Sequence, residues 1–405
     1  MRGPGGDPVE PGAKYTSERA VGRRAMAQQP SRGLADVVAA ATALSDIDGT
    51  IGRLSYRGYD INQLAGAATF EEVAYLLQRG APPSSDELAA YHAEIVAGRE
   101  LGALVRTDLP LIAHNQEPME ALRTLVSLAS AGDPDKDSNA PNANLRKAAR
   151  LTAQQPVLVA AYEAARNGRA LPDPDPQLSL AGNLLLQVTG RRPADRAAEM
   201  LDTCLVLHAD HTMNASTFAA RVCAATLSDM HSAVVAALGT LKGPLHGGAN
   251  EQVMRTLEEI VKNAQDDPVE AAGTEVAARL SRGEKIMGFG HRVYKVEDPR
   301  ATHLRAMAAE LAETAGDDSY YLMSRRIEKT VLREKGLYPN VDFFAATVYH
   351  YLGIPTDLFT PVFSVSRMAG WTAHVIEQHA DNRLIRPDSE YIGEAGLAWI
   401  PLAAR

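Results

Sequence analysis

Apolar residues recur at three- and four-residue spacing along most of this chain, which is the period of an amphipathic helix. The stretch Val253–Val261 is one example, with apolar residues at positions 253, 254, 257, 260 and 261. The pattern predicts helices at about 119–130, 142–167, 178–189, 194–209, 214–228, 230–241, 249–263, 268–282, 299–315, 319–335, 341–352 and 362–380. Because strands do not alternate with helices, the predicted fold class is mainly α.

Capping signals predict two more helix starts near the N-terminal end. Thr69 with Glu72 and Ser84 with Glu87 each have the spacing of a capping box. Gly80 follows the apolar residues of the first of these helices and is expected to end it.

The only convincing β signal lies between Val37 and Tyr56. Two β-tending runs flank Asp46-Ile47-Asp48-Gly49, which is predicted to be the turn of a hairpin. A small N-terminal β-hairpin is therefore expected ahead of the helices.

The composition excludes several classes of partner. The 405 residues are 45% hydrophobic and 22% charged, which is typical of a globular protein. With 41 Lys and Arg against 50 Asp and Glu, the net charge of −9 argues against nucleic acid. No apolar run approaches the roughly 20 residues that a membrane span needs. Cys204 and Cys223 lie in apolar helical stretches, so we expect buried thiols and a cytoplasmic protein.

Residues 1–31 are rich in Gly, Pro, Arg and Gln and have no apolar period. Such a segment cannot bury enough apolar surface to fold, so it is predicted to be a disordered tail.

One histidine stands in the glycine-rich stretch Leu241–Asn250. His246 lies between a Gly-Pro turn and a Gly-Gly pair, directly before the predicted helix 249–263. A histidine at a helix start tends to stay neutral and can donate a hydrogen bond to a carbonyl oxygen. The alternative interpretation is an ordinary loop histidine.

A second stretch carries His208 and His211, which are three residues apart and could share a helix face. A metal site would make the protein a metal-dependent hydrolase, but no His-Glu-x-x-His motif is present. A pair at a helix end, with one histidine in a ligand pocket, fits the pattern better.

A third stretch runs from Gly288 to Lys295. Its two glycines are not a dinucleotide loop, because the third glycine and the strand–turn–helix setting are missing. We interpret it as a tight loop that presents His291. Arg292, Lys295 and Arg300 would add positive charge for carboxylates or phosphates. A solvated basic loop is the alternative.

Two charged residues enter apolar helical surroundings further along the chain. Burial of Asp342 would raise its pKa and make it a base near neutral pH, although it could also be a simple helix N-terminal charge. Arg367 needs a partner, because a buried unpaired charge is costly. His374 and Glu377 share a helix face and are interpreted as structural.

Together these stretches resemble the citrate synthase family in its short bacterial and archaeal form. The resemblance runs from about Gly33 to Arg386 and rests on Gly52–Ile61, His208–Ser216, Gly243–Glu251, Gly288–Tyr294 and Asn340–Asp342. It implies an all-helical two-domain fold with a small N-terminal β-hairpin. The large domain would comprise residues 32–248 and 353–405, and the small domain residues 249–352.

The resemblance also implies a role for each matching residue. His246, His291 and Asp342 would be catalytic: Asp342 would take a proton from acetyl-CoA, His246 would bind the thioester oxygen, and His291 would polarise the oxaloacetate carbonyl. The oxaloacetate-binding residues would be His211, His291, Arg300, Arg367 and Arg386. Lys295, and less directly Arg292, would lie near CoA phosphate.

The family resemblance implies no metal and no cofactor, since acetyl-CoA is a substrate. It implies a homodimer in which Arg386 completes the site of the other subunit, with no nucleic acid or membrane partner. A 2-methylcitrate synthase using propionyl-CoA would have the same residues, because one methylene is worth only about 1–3 kcal/mol of discrimination. The presence of His246, His291 and Asp342 together argues against a non-catalytic helical scaffold.

Overall fold

The computed structural model describes residues 32–34 and 37–405. It has two compact units, one formed by Thr42–Arg386 and a smaller one that includes Pro387–Arg405. The predicted disordered tail, residues 1–31, lies outside the described residues.

Helices account for most of the described chain and confirm the mainly α class. They are α1 Ile61–Leu64, α2 Phe70–Arg79, α3 Ser85–Gly98, α4 Ala103–Asn115, α5 Pro118–Ser130, α6 Pro141–Arg166, α7 Leu180–Thr189, α8 Asp195–His208, α9 Ala215–Ala224, α10 Met230–Leu241, α11 Ala249–Asn263, α12 Pro268–Ser281, α13 Pro299–Ala315, α14 Ser319–Lys335, α15 Val341–Tyr351 and α16 Phe359–Ala380. Every helix predicted from periodicity is present, whereas α4 was missed because Pro110 interrupts its pattern.

The predicted helix ends of α2 and α3 are confirmed. Thr69 and Glu72 form a complete capping box, as do Ser84 and Glu87. Gly80 ends α2 in the left-handed conformation at φ 97°.

The β-hairpin exists, but its predicted turn is wrong. Strand β1, Ser45–Asp48, contains most of the predicted turn, and the chain reverses at residues 49–52 before β2, Arg53–Tyr56. A third strand, β3 at Tyr59–Asp60, pairs antiparallel with β2. Tertiary packing determines where the turn lies, because residue 49 packs closely against the backbone of Val293. A Cβ on Gly49 would lie 2.2 Å from the carbonyl oxygen of Val293.

The core of the larger unit is built around α6 and α16, which pack against each other. Both helices are buried along most of their length and therefore apolar on several faces. Their few polar side chains find partners: Gln155 Nε2 donates to Ser364 Oγ at 2.8 Å. Helix α16 also contacts α2, α8, α9 and α10, so its side chains reach several of the predicted site stretches.

Helices α11–α15 pack mainly on one another, with α12 against α14 and α13 against α15. They span most of the predicted small domain, residues 249–352. Because they belong to the same compact unit as the rest of Thr42–Arg386, the domain boundary stays a prediction.

The smaller unit includes the C-terminal residues 387–405, where Trp399 is 82% and Ile392 is 92% exposed.

Among the described residues, no helix is both long and apolar enough to cross a membrane. Cys204 is buried as predicted, whereas Cys223 is only half-buried; both are free thiols.

Candidate functional site

The loop that carries His291 and the start of α15 are joined by backbone hydrogen bonds. The Gly290 N–H donates to the Tyr338 carbonyl at 3.0 Å, and the Asn340 side-chain amide donates to the Gly290 carbonyl at 3.1 Å. Asn340 also caps α15. These bonds bring the segments that carry His291 and Asp342 side by side, although the two residues are 51 positions apart in the sequence.

Burial makes Asp342 a suitable base. Asp342 is the second residue of α15, and its carboxylate is half-buried. The Asp342 backbone N–H donates to Asn340 Oδ1 at 3.0 Å. Burial raises the pKa of Asp342 to about 6, against the opposing charges of Arg300 and Arg367. At neutral pH the carboxylate is therefore ionised, but it is more basic than an exposed aspartate.

The hydrogen bonds of His291 determine which ring nitrogen carries its proton. His291 Nδ1 accepts from the backbone N–H groups of Val293 at 3.0 Å and Tyr294 at 3.1 Å. Burial, with the charge of Arg300, lowers the pKa of His291 to about 4. The ring is therefore neutral near pH 7, with its proton on Nε2, and Nε2 can donate to a carbonyl oxygen.

His246 has the opposite tautomer. The Ser216 N–H, near the start of α9, donates to His246 Nε2 at 3.2 Å, so the ring proton lies on Nδ1. Ser216 Oγ lies 2.8 Å from the same nitrogen and accepts from Trp371 Nε1 at 3.1 Å. Burial, together with Arg367, lowers the pKa of His246 to about 4. His246 is thus a neutral Nδ1–H donor directly before α11.

The stretch that carries His208 and His211 does not have the shared helix face that its spacing allowed. Helix α8 ends at His208, so His208 and His211 do not share a helix face. His211 Nε2 is buried and has no hydrogen-bond partner among the described residues. Its ring centroid lies 5.2 Å from that of His291. Burial, with the charges of Arg300 and other neighbours, holds the pKa of His211 well below its usual range.

The described residues contain no group of three His, Cys, Asp or Glu side chains that could hold a metal ion. The Nδ1 atom of His208 instead lies 3.3 Å from the hydroxyl oxygen of Tyr349. The histidine pair therefore offers no support for the metal-dependent hydrolase.

Two buried arginines lie at the centre of the site, and each is 2% exposed. Arg300 forms a two-pronged ion pair with Asp298, at 2.9 Å from Nε and 2.7 Å from Nη2. Arg367 donates from Nε to the His208 carbonyl at 2.8 Å, and burial lowers its pKa to about 10. Both stay charged at neutral pH, and both leave N–H groups for an anionic ligand.

The charges of these arginines reach the other predicted residues. Arg300 and Arg367 both influence the pKa values of His211 and Asp342. Arg367 also influences His246, and Arg300 influences His291. The structure therefore gathers six of the predicted site residues into one electrostatic environment: His211, His246, His291, Arg300, Asp342 and Arg367.

The remaining predicted residues are exposed. Lys295 and Arg292 lie at the surface of the loop after His291, and the Lys295 backbone N–H donates to the Gly49 carbonyl at 2.8 Å. Arg386 is exposed in the segment after α16. In the single chain these three side chains are exposed to solvent, whereas those of Arg300 and Arg367 are buried.

Sequence reasoning did not assign roles to several residues that hold the site. Ser216 orients His246, Asp298 holds Arg300, and the ring of Phe363 lies 4.7 Å beneath the Arg367 guanidinium. Asp298 could have been found from its sequence, because Asp-Pro at a helix start predicts an N-cap next to Arg300. The contact of Ser216 with His246 has no local signal.

Comparisons with known proteins find similar sequences and structures over most of this chain. The family model described as "Citrate synthase, C-terminal domain" matches residues 33–388. A citrate synthase of Haloferax volcanii is 48% identical over 384 residues, which cover 94% of this chain and 100% of that protein. A 2-methylcitrate synthase of Shewanella oneidensis is 40% identical over 374 residues, covering 92% of this chain and 97% of that protein.

A solved structure is also similar over nearly the whole chain. It is the ternary complex of carboxymethyl coenzyme A and oxaloacetate with the citrate synthase of the archaeon Thermoplasma acidophilum. Its TM-score to this chain is 0.85 at 32% identity, and the match covers 92% of this chain and 99% of that chain.

Proposed function

The chain belongs to the citrate synthase family, and we propose that it condenses acetyl-CoA with oxaloacetate and releases citrate and CoA. The observation that carries the proposal is the pairing of Asp342, a base with a pKa of about 6, with two neutral histidines of defined tautomer. A thioester methyl group is a weak acid, so its deprotonation needs both a base and a donor to the developing oxyanion.

In the proposed first step, the Asp342 carboxylate takes a proton from the methyl group of acetyl-CoA. The C–H electron pair moves to form the enolate, whose thioester oxygen accepts a hydrogen bond from His246 Nδ1–H. A neutral donor suits this position, because its proton is held ready without a buried positive charge. Ser216 N–H keeps His246 in the required tautomer.

In the second step, the enolate carbon attacks the keto carbon of oxaloacetate. His291 Nε2–H donates to the keto oxygen and transfers its proton as the carbon–carbon bond forms. Asp342 then releases the proton that it took, and His291 regains one, through water. His211, Arg300 and Arg367 bind the oxaloacetate carboxylates, since guanidinium groups match carboxylates in geometry and charge. Water then hydrolyses the thioester of citryl-CoA to give citrate and CoA.

We assign no cofactor and no metal to this reaction, because acetyl-CoA enters as a substrate and the carbonyl groups are polarised by histidines. Lys295, and less directly Arg292, are proposed to lie near CoA phosphate. The product citrate places the reaction at the step that brings an acetyl group into the tricarboxylic acid cycle.

We also propose a homodimer in which Arg386 completes the oxaloacetate site of the other subunit. Mixing an Asp342→Asn subunit with an Arg386→Ala subunit tests this arrangement. If Arg386 acts across the interface, each mixed dimer contains one site with both native residues, and random mixing restores about a quarter of the wild-type activity. If Arg386 acts within its own chain, mixing restores no activity.

A second candidate function is 2-methylcitrate synthase, favoured by the similarity to the Shewanella oneidensis protein of that name. The experiment that separates the two is kcat/KM for acetyl-CoA against propionyl-CoA with oxaloacetate, followed by release of free thiol. Citrate synthase predicts a preference for acetyl-CoA. A preference for propionyl-CoA would assign the second function, and no thiol release with either substrate would contradict both.

A further inference from the structure

The six residues Leu207–Thr212, which carry His211, are held by backbone contacts from distant elements. The Tyr56 hydroxyl, from β2, donates to the Asp210 carbonyl at 3.0 Å and accepts from the Asp210 N–H at 3.2 Å. The Gly370 N–H, from α16, donates to the Ala209 carbonyl at 3.1 Å. A Cβ on Gly370 would lie 2.4 Å from that carbonyl oxygen, so α16 packs directly on this segment.

The buried carboxylate of Asp210 adds side-chain contacts to the same segment, and its exposure is 0%. Ser45 Oγ, from β1, donates to Asp210 Oδ2. The Thr212 N–H donates to the same oxygen at 3.2 Å and closes a turn around His211. His374 Nε2, from α16, lies 3.3 Å from it.

The contact of His374 with Arg221 determines the direction of its bond to Asp210. Arg221 Nη1 lies 3.1 Å from His374 Nδ1, and a guanidinium can only donate, so Nδ1 accepts. Because Nδ1 accepts, the ring proton is on Nε2 and faces the Asp210 carboxylate. Asp210 thus receives donors from Ser45, Thr212 and His374.

This arrangement keeps Asp210 ionised and holds a strained backbone. Burial works to raise the pKa of Asp210, but His374, Arg367 and Ser45 outweigh it, and the net pKa is lowered. Thr212 has φ 47°, a left-handed conformation that a threonine adopts only when its surroundings impose it. The bond from Thr212 N–H to the carboxylate is one such constraint.

We propose that Asp210, held by Ser45 and His374, is a positioning residue that sets the orientation of His211 toward a carboxylate of the keto acid. The inference rests on the proposed function, because it assigns His211 to oxaloacetate. It explains why so many hydrogen bonds converge on the short segment that carries His211, whose buried Nε2 lacks a partner among the described residues.

The first test compares Asp210→Asn and Ser45→Ala with the wild type in steady-state kinetics. Each is expected to raise KM for oxaloacetate on the order of tenfold to a hundredfold, because a small displacement of a binding group is costly. KM for acetyl-CoA is expected to stay within about twofold of the wild-type value. Ser364→Ala is the matched control: it removes a buried serine hydroxyl of α16 that binds Gln155 rather than the His211 segment.

The second test uses a compensating pair. His374 Nε2 lies 3.3 Å from both carboxylate oxygens of Asp210. In Asp210→Asn the amide oxygen can face Ser45 and Thr212, but the new N–H groups then meet the His374 Nε2–H. Arg221 prevents the ring from exchanging its tautomer. His374→Gln replaces that donor with a side chain that can also accept. The double variant Asp210→Asn/His374→Gln is therefore expected to have a lower KM for oxaloacetate than Asp210→Asn alone.

Each outcome decides the inference. Unchanged oxaloacetate KM in Asp210→Asn and Ser45→Ala, equal changes in the KM of both substrates, or a higher KM in the double variant would overturn it. Thermal unfolding separates a loss of folded enzyme from a change in binding. A wild-type enzyme that neither condenses the substrates nor binds oxaloacetate in calorimetry would overturn the proposed function, and this inference with it.

Discussion

Two groups of basic residues in this protein have the same charge in opposite surroundings. Arg300 and Arg367 are each 2% exposed and have named partners, the Asp298 carboxylate and the His208 carbonyl. Lys295, Arg292 and Arg386 are exposed. A buried cation interacts with an anion through a low-dielectric medium, whereas an exposed one is screened by water and salt. We therefore expect the basic residues of the proposed site to contribute unequally to substrate binding, the buried ones more than the exposed ones.

The largest effect is expected for Asp342→Asn, which keeps the shape of the side chain but removes the base. We expect kcat to fall by about 10²–10⁴-fold, the usual contribution of general base catalysis. Circular dichroism and thermal unfolding should match the wild type. A kcat within tenfold of the wild-type value would show that the Asp342 carboxylate is not the base.

The next largest effect is expected for His246→Ala. Loss of one preorganised donor to a developing oxyanion costs about 10²–10³-fold in kcat. Rapid-quench measurement of the condensation step would separate this loss from slow product release. His303→Ala, a histidine of α13 that contacts Asn62, serves as a control and should keep wild-type kcat.

Arg367→Lys sharpens the comparison by keeping the buried charge while removing the guanidinium. A lysine lacks the fork that binds both a carboxylate and the His208 carbonyl. Hydrogen bonds to charged groups contribute about 1.5–3 kcal/mol, so KM for oxaloacetate should rise about tenfold to a hundredfold. An unchanged KM would mean that charge alone accounts for the role of Arg367.

The pH dependence of kcat/KM should reflect the raised pKa of Asp342. Burial raises that pKa to about 6, so the base becomes protonated as the pH falls below it and activity is lost. His246 and His291, with pKa values lowered to about 4, stay neutral in this range. We therefore expect kcat/KM to fall tenfold per pH unit below about pH 6. Enzyme incubated at low pH and assayed at pH 7 controls for unfolding, and a flat profile would contradict the assignment.

The smallest effect is expected at the exposed residues. Lys295→Ala should raise KM for acetyl-CoA by no more than about fivefold, since an exposed ion pair contributes about 0–1 kcal/mol. The effect should shrink further at high salt. Lys262→Ala, an exposed lysine at the end of α11, is the matched control. A hundredfold increase in KM for acetyl-CoA in Lys295→Ala would show that an exposed cation can contribute as much as a buried one.

The helices were predictable because their signals are local. The apolar period located the ends of α13 and α14 at Pro299, Ala315, Ser319 and Lys335 without error. Where a signal depended on other parts of the chain, prediction failed. The Asp46–Gly49 segment has the composition of a turn, yet Ser45–Asp48 pairs as a strand and Val293 packs against Gly49.

The residues of the candidate site could be proposed from the sequence, but the contacts between them could not. Motif order identified His246, His291 and Asp342 as a group, although each had an ordinary structural alternative. The tautomer of His246 depends on Ser216, which is 30 residues away, and no spacing rule predicts that contact. Asp210 and His374 are 164 residues apart and meet because α16 packs against α8 and the residues that follow it.

The sequence by itself determined the helices, the order of the chemical groups and the family resemblance, because these depend on neighbouring residues and on the identity of side chains. Tertiary structure alone decided which arginines are buried, which histidine nitrogen carries each proton, and how far the pKa of Asp342 rises. These properties depend on the dielectric surroundings and on donors from distant elements. Folding therefore supplies the surroundings that raise the pKa of Asp342 and the partners that give the two histidines their tautomers.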